Sequence, residues 1–158
     1  MTPFQLAQRF VGEIRELPGS AHHPFIQFGH LLCGLGPETP DEVAWCSSFA
    51  NAVCWILRAP RSKSAAARSW LRVGEVVELR QAEPGWDIVI LKRGTGPGAS
   101  SALDPQVDGT WPPGHVGFFA GYEQQTNKVY VVGGNQSDAV TVAAFDAGHV
   151  LGVRRLSP

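Results

Sequence analysis

Cys46, in Trp45-Cys46-Ser47, and His115, in Gly114-His115-Val116-Gly117, are the residues whose types and surroundings fit a thiol nucleophile and its base. A cysteine attacks an amide only as the thiolate, which nearby positive charge, an imidazolium or a helix N-terminus favours. From Trp45 to Leu57 nearly every residue is apolar or small, so the pattern predicts a helix buried on almost all sides. Cys46 then lies in its first turn, where unpaired N–H groups favour an anion. Taken alone, a cysteine there reads first as a small core residue. His115 follows Pro112-Pro113-Gly114 at the start of a strand pattern, which places it at a sheet rim; a surface histidine without a role is the plain alternative. A base of this kind needs a third group to hold its ring. Asn135, in Gly133-Gly134-Asn135-Gln136, falls beside His115 if the two strands form a hairpin, although Asn in such a turn is also ordinary turn chemistry.

The elements that must position these residues divide along the chain. Phe4, Leu6, Ala7, Phe10, Val11, Ile14 and Leu17 recur at helical spacing from Pro3 to Leu17, and Pro18-Gly19 stops the pattern. A second helical segment runs from Pro24 to about Leu35, the buried helix follows, and a short Ala-rich helix spans Ala65 to Leu71. The runs then become β-branched: Val73–Leu79, Asp87–Lys92, Val116–Tyr122, Val129–Val132, Val140–Phe145 and Val150–Leu156. Helices first and strands after, with most spacings too short for crossovers, predict an α+β fold whose N-terminal helices pack on an antiparallel sheet of five to six strands. Gly94 to Pro113 has no periodicity and ends against His115, so we read 94–114 as an active-site loop forming a cleft wall or lid.

At 158 residues with 44% hydrophobic and 17% charged, the chain has the size and composition of one globular domain over 1–158. A net charge of −1 without a basic block gives no footprint for nucleic acid. The first ten residues read neither as a signal peptide nor as a membrane span, which predicts synthesis in the cytoplasm. Cys46 and Cys54, if both helical, stand about 12 Å apart along the axis, beyond disulfide reach.

Competing sites are weaker. His22, His23, His30 and Cys33 are possible zinc ligands, but His22 and His23 are adjacent and no C-x-x-C or H-E-x-x-H spacing supports them, so no metal is expected. His149 is an alternative base, with no Asn, Asp or Glu after it to orient it. Cys54 sits where burial makes a thiol inert. Gly94 to Gly98 lacks the Lys-Ser/Thr of a phosphate loop. Trp45, Trp55 and Trp70 suit helix packing, whereas Trp111, in the loop before His115, fits either stacking on a sugar or peptide stem or anchoring the loop.

Asp41-Glu42-Val43-Ala44-Trp45-Cys46-Ser47-Ser48-Phe49, Gly85-Trp86-Asp87-Ile88-Val89-Ile90, Gly114-His115-Val116-Gly117-Phe118-Phe119 and Gly133-Gly134-Asn135-Gln136 resemble, in this order, motifs of the papain-like NlpC and CHAP amidase/peptidase superfamily. The likeness covers roughly Ala21 to Leu156 and is greatest to small single-domain phage and secreted-effector members that cleave peptidoglycan. The resemblance implies a papain-like fold, with Cys46 as nucleophile, His115 as general base and Asn135 as orienting group, and with no cofactor. Trp45, Ser47, Trp111 and Gln136 flank the trio and are the expected substrate contacts. His22-His23-Pro24-Phe25-Ile26 matches loosely a polar-Pro-Ile segment of such members, while the acidic residue that many CHAP domains carry two positions before the Asn is Gly133 here. The implied activity is cleavage of a peptidoglycan amide by a monomer. It would reach the wall through a type VI-like secretion system or phage lysis, with a cognate immunity protein if it is an effector. A non-catalytic wall-binding module and a thiol amidase or acyltransferase on a non-wall substrate are the alternatives.

Overall fold

The computed structural model describes residues 1–94 and 99–157. Asp87–Lys92 has an unbroken apolar centre, Ile88-Val89-Ile90-Leu91, and such a run is stable as a strand only when covered on both faces. It occupies the inside of a six-stranded antiparallel sheet. Numbered in chain order, the strands are β1 (Glu75–Val77), β2 (Asp87–Lys92), β3 (Gly114–Glu123), β4 (Lys128–Gly133), β5 (Thr141–Asp146) and β6 (Val150–Arg155), in the spatial order β1-β6-β2-β3-β4-β5. All six expected runs are strands, and the α+β expectation holds.

Three α-helices precede the sheet: α1 (Pro3–Arg9), α2 (Pro24–Leu32) and α3 (Cys46–Ile56). Side-chain alternation sorts the sheet residues. Ile88, Ile90, Val116, Phe118 and Val132 join Trp45, Phe49, Val53 and Trp70 in the main core, while Val89, Leu91, Phe119, Val129, Val131 and Val153 form a second cluster on the other face. Gly29 lets α2 cross α3 closely, since a Cβ there would stand 2.6 Å from the Ser48 carbonyl oxygen. Where the inner strands β2 and β6 pair, buried Asp87 receives two hydrogen bonds from Arg155, at 2.7 and 2.8 Å, and this fixes one strand against the other.

The first helix is shorter than its periodicity. Thr2 caps it in a reciprocal capping box with Gln5, but it ends at Arg9 instead of near Leu17. The chain leaves helical geometry because Gly12 adopts φ +79° and the following backbone finds other partners: Gly12 N–H donates to Val140 O, Val140 N–H to Ile14 O and Glu16 N–H to Asp138 O. Tertiary pairing with the turn after β4 overrides the local preference. Similarly, α2 stops at Leu32, ahead of the left-handed Gly34, and the Ala-rich segment is a 3₁₀ helix over Ala67–Arg72.

Two features tie α3 to the β4–β5 turn. Trp45, fully buried at the helix N-cap, donates its indole N–H to Glu16 at 2.8 Å, and the 12–16 segment it grips is the one bonded to Asp138 and Val140. Gly134 then lies flat on the Trp45 ring. A Cβ at Gly134 would stand 2.5 Å from that ring and 2.7 Å from the Phe49 Cβ, so Gly134→Ala is expected to cost about 1–3 kcal/mol through forced repacking. Urea unfolding checks this as a lowered midpoint with an unchanged slope.

Candidate active site

Cys46 is the first residue of α3. No side chain caps this helix, and the main-chain N–H of Phe49 is the first to be taken up by the turn, bonding Trp45 O at 2.8 Å. The N–H groups of Cys46, Ser47 and Ser48 therefore point out of the N-terminus beside the sulfur. His115 is the second residue of β3, in register with Leu91, where the sheet ends. The two side chains are near enough for His115 to act on the Cys46 thiol through both its ring and its charge, and the Val116 N–H acts on it in the same direction.

Burial is the largest single influence on the Cys46 thiol and pushes it up. The His115 hydrogen bond, the His115 charge, Arg93 and the Val116 N–H together outweigh it and hold the thiol below its ordinary value. The other cysteines go the opposite way: burial raises the thiol of Cys33 and pushes that of Cys54 up to about 12. All three are free thiols.

The ring is held by Gln136. His115 Nε2 lies 2.9 Å from Gln136 Oε1, and the Gln136 amide nitrogen donates to the Thr141 carbonyl oxygen at 2.8 Å and to its hydroxyl at 3.0 Å. Because a carbonyl oxygen only accepts, the amide has one orientation, with its oxygen toward the imidazole. Nε2 must then carry a proton and donate it, which leaves Nδ1 as the nitrogen available to the thiol. Gly133 makes room for this contact, since a Cβ there would come within 2.7 Å of Gln136 Oε1 and 3.3 Å of His115 Nε2. No acidic side chain fits at 133 beside this glutamine.

The order of Asn135 and Gln136 differs from the sequence expectation. Asn135, Ser137 and Asp138 all take left-handed backbone angles, φ +55°, +54° and +59°, and Gln136 N–H closes the turn on Ala139 O. This winding swings Gln136 inward onto the ring and leaves Asn135 half-buried on the turn without a hydrogen bond to His115. Gln136, expected at the substrate, contacts the ring; Asn135, expected on the ring, makes no hydrogen bond to it.

Trp45 and Ser47 also depart from their expected role as substrate contacts. Both are fully buried: Trp45 packs under Gly134, and the Ser47 hydroxyl donates to Ser64 O at 2.6 Å and accepts the Trp70 indole N–H at 2.9 Å. They set the entry of α3 and present no surface to a ligand. Trp111 packs against the core with the Arg72 guanidinium 5.4 Å from its ring centre, an anchor for the loop. The loop itself is fastened to the fully buried Arg68, whose Nε and Nη2 donate to Pro113 O at 3.0 and 2.7 Å and whose Nη1 donates to Ala102 O at 2.8 Å. Arg68 thereby fixes the residue two places before His115; a buried arginine in an Ala-rich stretch is the only sequence sign of it. Thr95 to Gly98, the glycine-rich opening of the expected lid, lies outside the described residues.

The four candidate zinc ligands do not converge. His23 caps α2 through Nδ1 to the Phe25 N–H, and the His30 ring contacts the Ser48 hydroxyl at 2.9 Å. Among the described residues, the group of three potential ligands within mutual reach is His22, Asp41 and Glu42, and buried Asp41 already accepts from the Leu17 and His23 N–H groups and contacts the His22 ring. Burial raises the Asp41 carboxyl, but these donors outweigh it and hold it below the usual range. Asp41 is a brace for the segment leading into Cys46.

Cys46, His115 and Gln136 keep 3%, 4% and 7% of their surface, so the trio is nearly enclosed, opening beside His115 and Gln136 onto a cavity of about 600 Å³. Among the described residues no helix is long and apolar enough to cross a membrane. No family model and no curated protein matches the chain.

The lowered thiol makes a direct prediction. A small alkylating reagent is expected to modify Cys46 alone at neutral pH, with the rate rising at pH values below the ordinary cysteine range of about 8.5. In His115→Ala the two largest lowering influences on the thiol are lost, so the profile moves to higher pH. Peptide mapping of the alkylated protein checks both; an unmoved profile, or Cys33 reacting first, contradicts the assignment.

Proposed function

We propose that this chain is a thiol amidase of the papain-like NlpC/CHAP type that hydrolyses an amide bond of peptidoglycan. The observation that carries the chemistry is a Cys46 thiol at the N-terminus of an uncapped helix, lowered chiefly by His115, whose ring is in turn held by the Gln136 amide at 2.9 Å. The wall as substrate rests on the ordered resemblance of the Cys46, His115 and Gly133–Gln136 motifs to that superfamily.

In this mechanism the Cys46 thiolate adds to the amide carbonyl carbon, and the oxyanion that forms is met by the N–H of Cys46 and its neighbours in the first turn of α3. His115 Nδ1, carrying the proton taken from the thiol, gives it to the leaving nitrogen as the C–N bond breaks, and a thioester remains on Cys46. Nδ1 next takes a proton from water as the oxygen attacks the thioester. Collapse releases the carboxylic acid and returns the thiolate. Gln136 keeps Nε2 protonated and the ring plane fixed throughout, so one nitrogen does all the proton transfer. No step draws on a metal or cofactor.

The enzyme acts as a monomer outside the cytoplasm in which it is made, reaching the wall through a contact-dependent secretion system or through phage lysis. As a secreted effector it would be matched in the producing cell by an immunity protein that blocks the cleft.

Digestion of purified peptidoglycan, followed by mass spectrometry of the fragments, tests this reading. Wild type is expected to release new amine termini and Cys46→Ala none; fragment masses locate the bond between muramic acid and L-alanine or within the stem. Cleavage by Cys46→Ala, or no cleavage by wild type, overturns it and favours a non-catalytic wall-binding module or a non-wall substrate.

The two turn residues give a sharper prediction. Gln136→Ala frees the ring and is expected to lower kcat about 100-fold, the scale of a misplaced catalytic group. Asn135→Gly keeps the left-handed turn and leaves kcat near wild type. The opposite ranking would return the orienting role to Asn135.

A further inference from the structure

The mechanism uses one side of the His115 ring and leaves the cavity beside it without a role. This cavity, of about 600 Å³, has its floor on β5, where Ala143 and Phe145 point to the same face and the Phe145 ring lies 5.2 Å from that of His115. Its opposite wall is the end of β2 with the residues after it, Lys92 and Arg93, and His149 closes the side. Lys92 also reaches the Ser101 hydroxyl at 3.2 Å. Arg93 is exposed and makes no hydrogen bond or ion pair among the described residues.

The lining is charged in one sense. Acidic residues outnumber Lys and Arg by 14 to 13 in the whole chain, yet no carboxylate lines the cavity among its described residues. Two cations over an apolar floor, with no acid to neutralise them, suit a peptide that carries a carboxylate. A neutral sugar leaves the charges without a partner, and a bare inorganic anion leaves the floor without one. The position is equally specific, because His115 and Gln136 form part of the same wall. A group bound there touches His115 and Gln136, although the Cys46 sulfur does not itself line the cavity. Arg93 is close enough for its charge to help hold the Cys46 thiol down.

We infer that this cavity is a subsite for a carboxylate on the peptide portion of the substrate, adjacent to the scissile amide, with Arg93 as the residue that selects it and Lys92 adding to the attraction. The inference rests on the thiol amidase reading for the identity of the substrate, and it adds the chemical feature by which that substrate is chosen: stem peptides with a free carboxylate are preferred to the same peptides with that group amidated.

The probes are the stem tripeptide L-Ala-γ-D-Glu-L-Lys with the glutamate α-carboxylate free, the same peptide with that group as a carboxamide, and a third form amidated at the C-terminus instead. Binding is measured by calorimetry on Cys46→Ala, which holds substrate without turning it over. One of the two carboxylates is expected to improve Kd at least about tenfold over its carboxamide, the scale of one charge-assisted contact. Arg93→Gln in the same background is expected to reduce that ratio to near one, and Arg93→Lys to retain part of it. In the active enzyme the loss in Arg93→Gln falls on KM more than on kcat. Equal binding of all three peptides, absence of binding at millimolar concentration, or a preference that survives Arg93→Gln would each overturn the subsite. Failure of the amidase reading is visible separately, as wild-type enzyme that cleaves none of these peptides and no intact wall while the binding preference stands.

Discussion

The arrangement depends on one amide group with a single permitted orientation. Thr141 offers Gln136 a carbonyl oxygen, so the glutamine must turn its nitrogen to β5 and its oxygen to His115, and the imidazole must answer with a donor. Three residues on three elements are thereby reduced to one protonation pattern. A ring free to flip or to exchange tautomers would offer the sulfur a donor part of the time and an acceptor the rest. The enclosure of the trio strengthens each of these contacts, since polar partners screened from water interact more strongly and an unpaired one is costly.

This amide can be where it is only because the backbone around it is unusually close to its neighbours. Gly133 leaves room for the Gln136 oxygen against His115, and Gly134 lies on the face of Trp45. Trp45 in turn is gripped by Glu16, whose segment is laced to the same turn. Burial lifts the Glu16 carboxyl, and nearby Asp138, Asp41 and Glu42 push in the same direction against the lowering effect of the Trp45 N–H. The N-terminal residues thus act as a strap between the helix that carries the sulfur and the turn that carries the orienting amide. On the other side, Arg68 fixes the carbonyl of Pro113 just ahead of β3. Cys46, His115 and Gln136 are each fixed by a buried polar contact outside the trio.

Much of this was legible in the residues. The six strands follow from β-branched runs broken by turns, and the buried helix from a stretch with almost no polar face, because both patterns report burial, which the fold must honour. That Cys46 heads the helix and His115 the strand was legible for the same reason. Lengths were less so: α1 keeps its periodicity to Leu17, but the backbone of Gly12 to Glu16 bonds to the β4–β5 turn, a partner more than a hundred residues away that no local pattern encodes. The choice between Asn135 and Gln136 was hidden by the turn itself. Adjacent side chains point opposite ways, and which faces the ring is decided by the left-handed angles at 135, 137 and 138, not by residue type. Trp45 and Ser47 border the nucleophile in sequence, and only their tertiary hydrogen bonds show that they face inward.

The most direct test of the account is the protonation of the two His115 nitrogens, followed by ¹⁵N NMR of the ring while pH is taken through the range in which Cys46 ionises. Nε2, held by Gln136, is expected to keep its proton throughout, with Nδ1 the nitrogen whose signal moves as the thiol titrates. A ring found protonated on Nδ1 with Nε2 bare would contradict the account, because the amide of Gln136 would then not fix the base and the thiol would face a donor where the mechanism needs an acceptor.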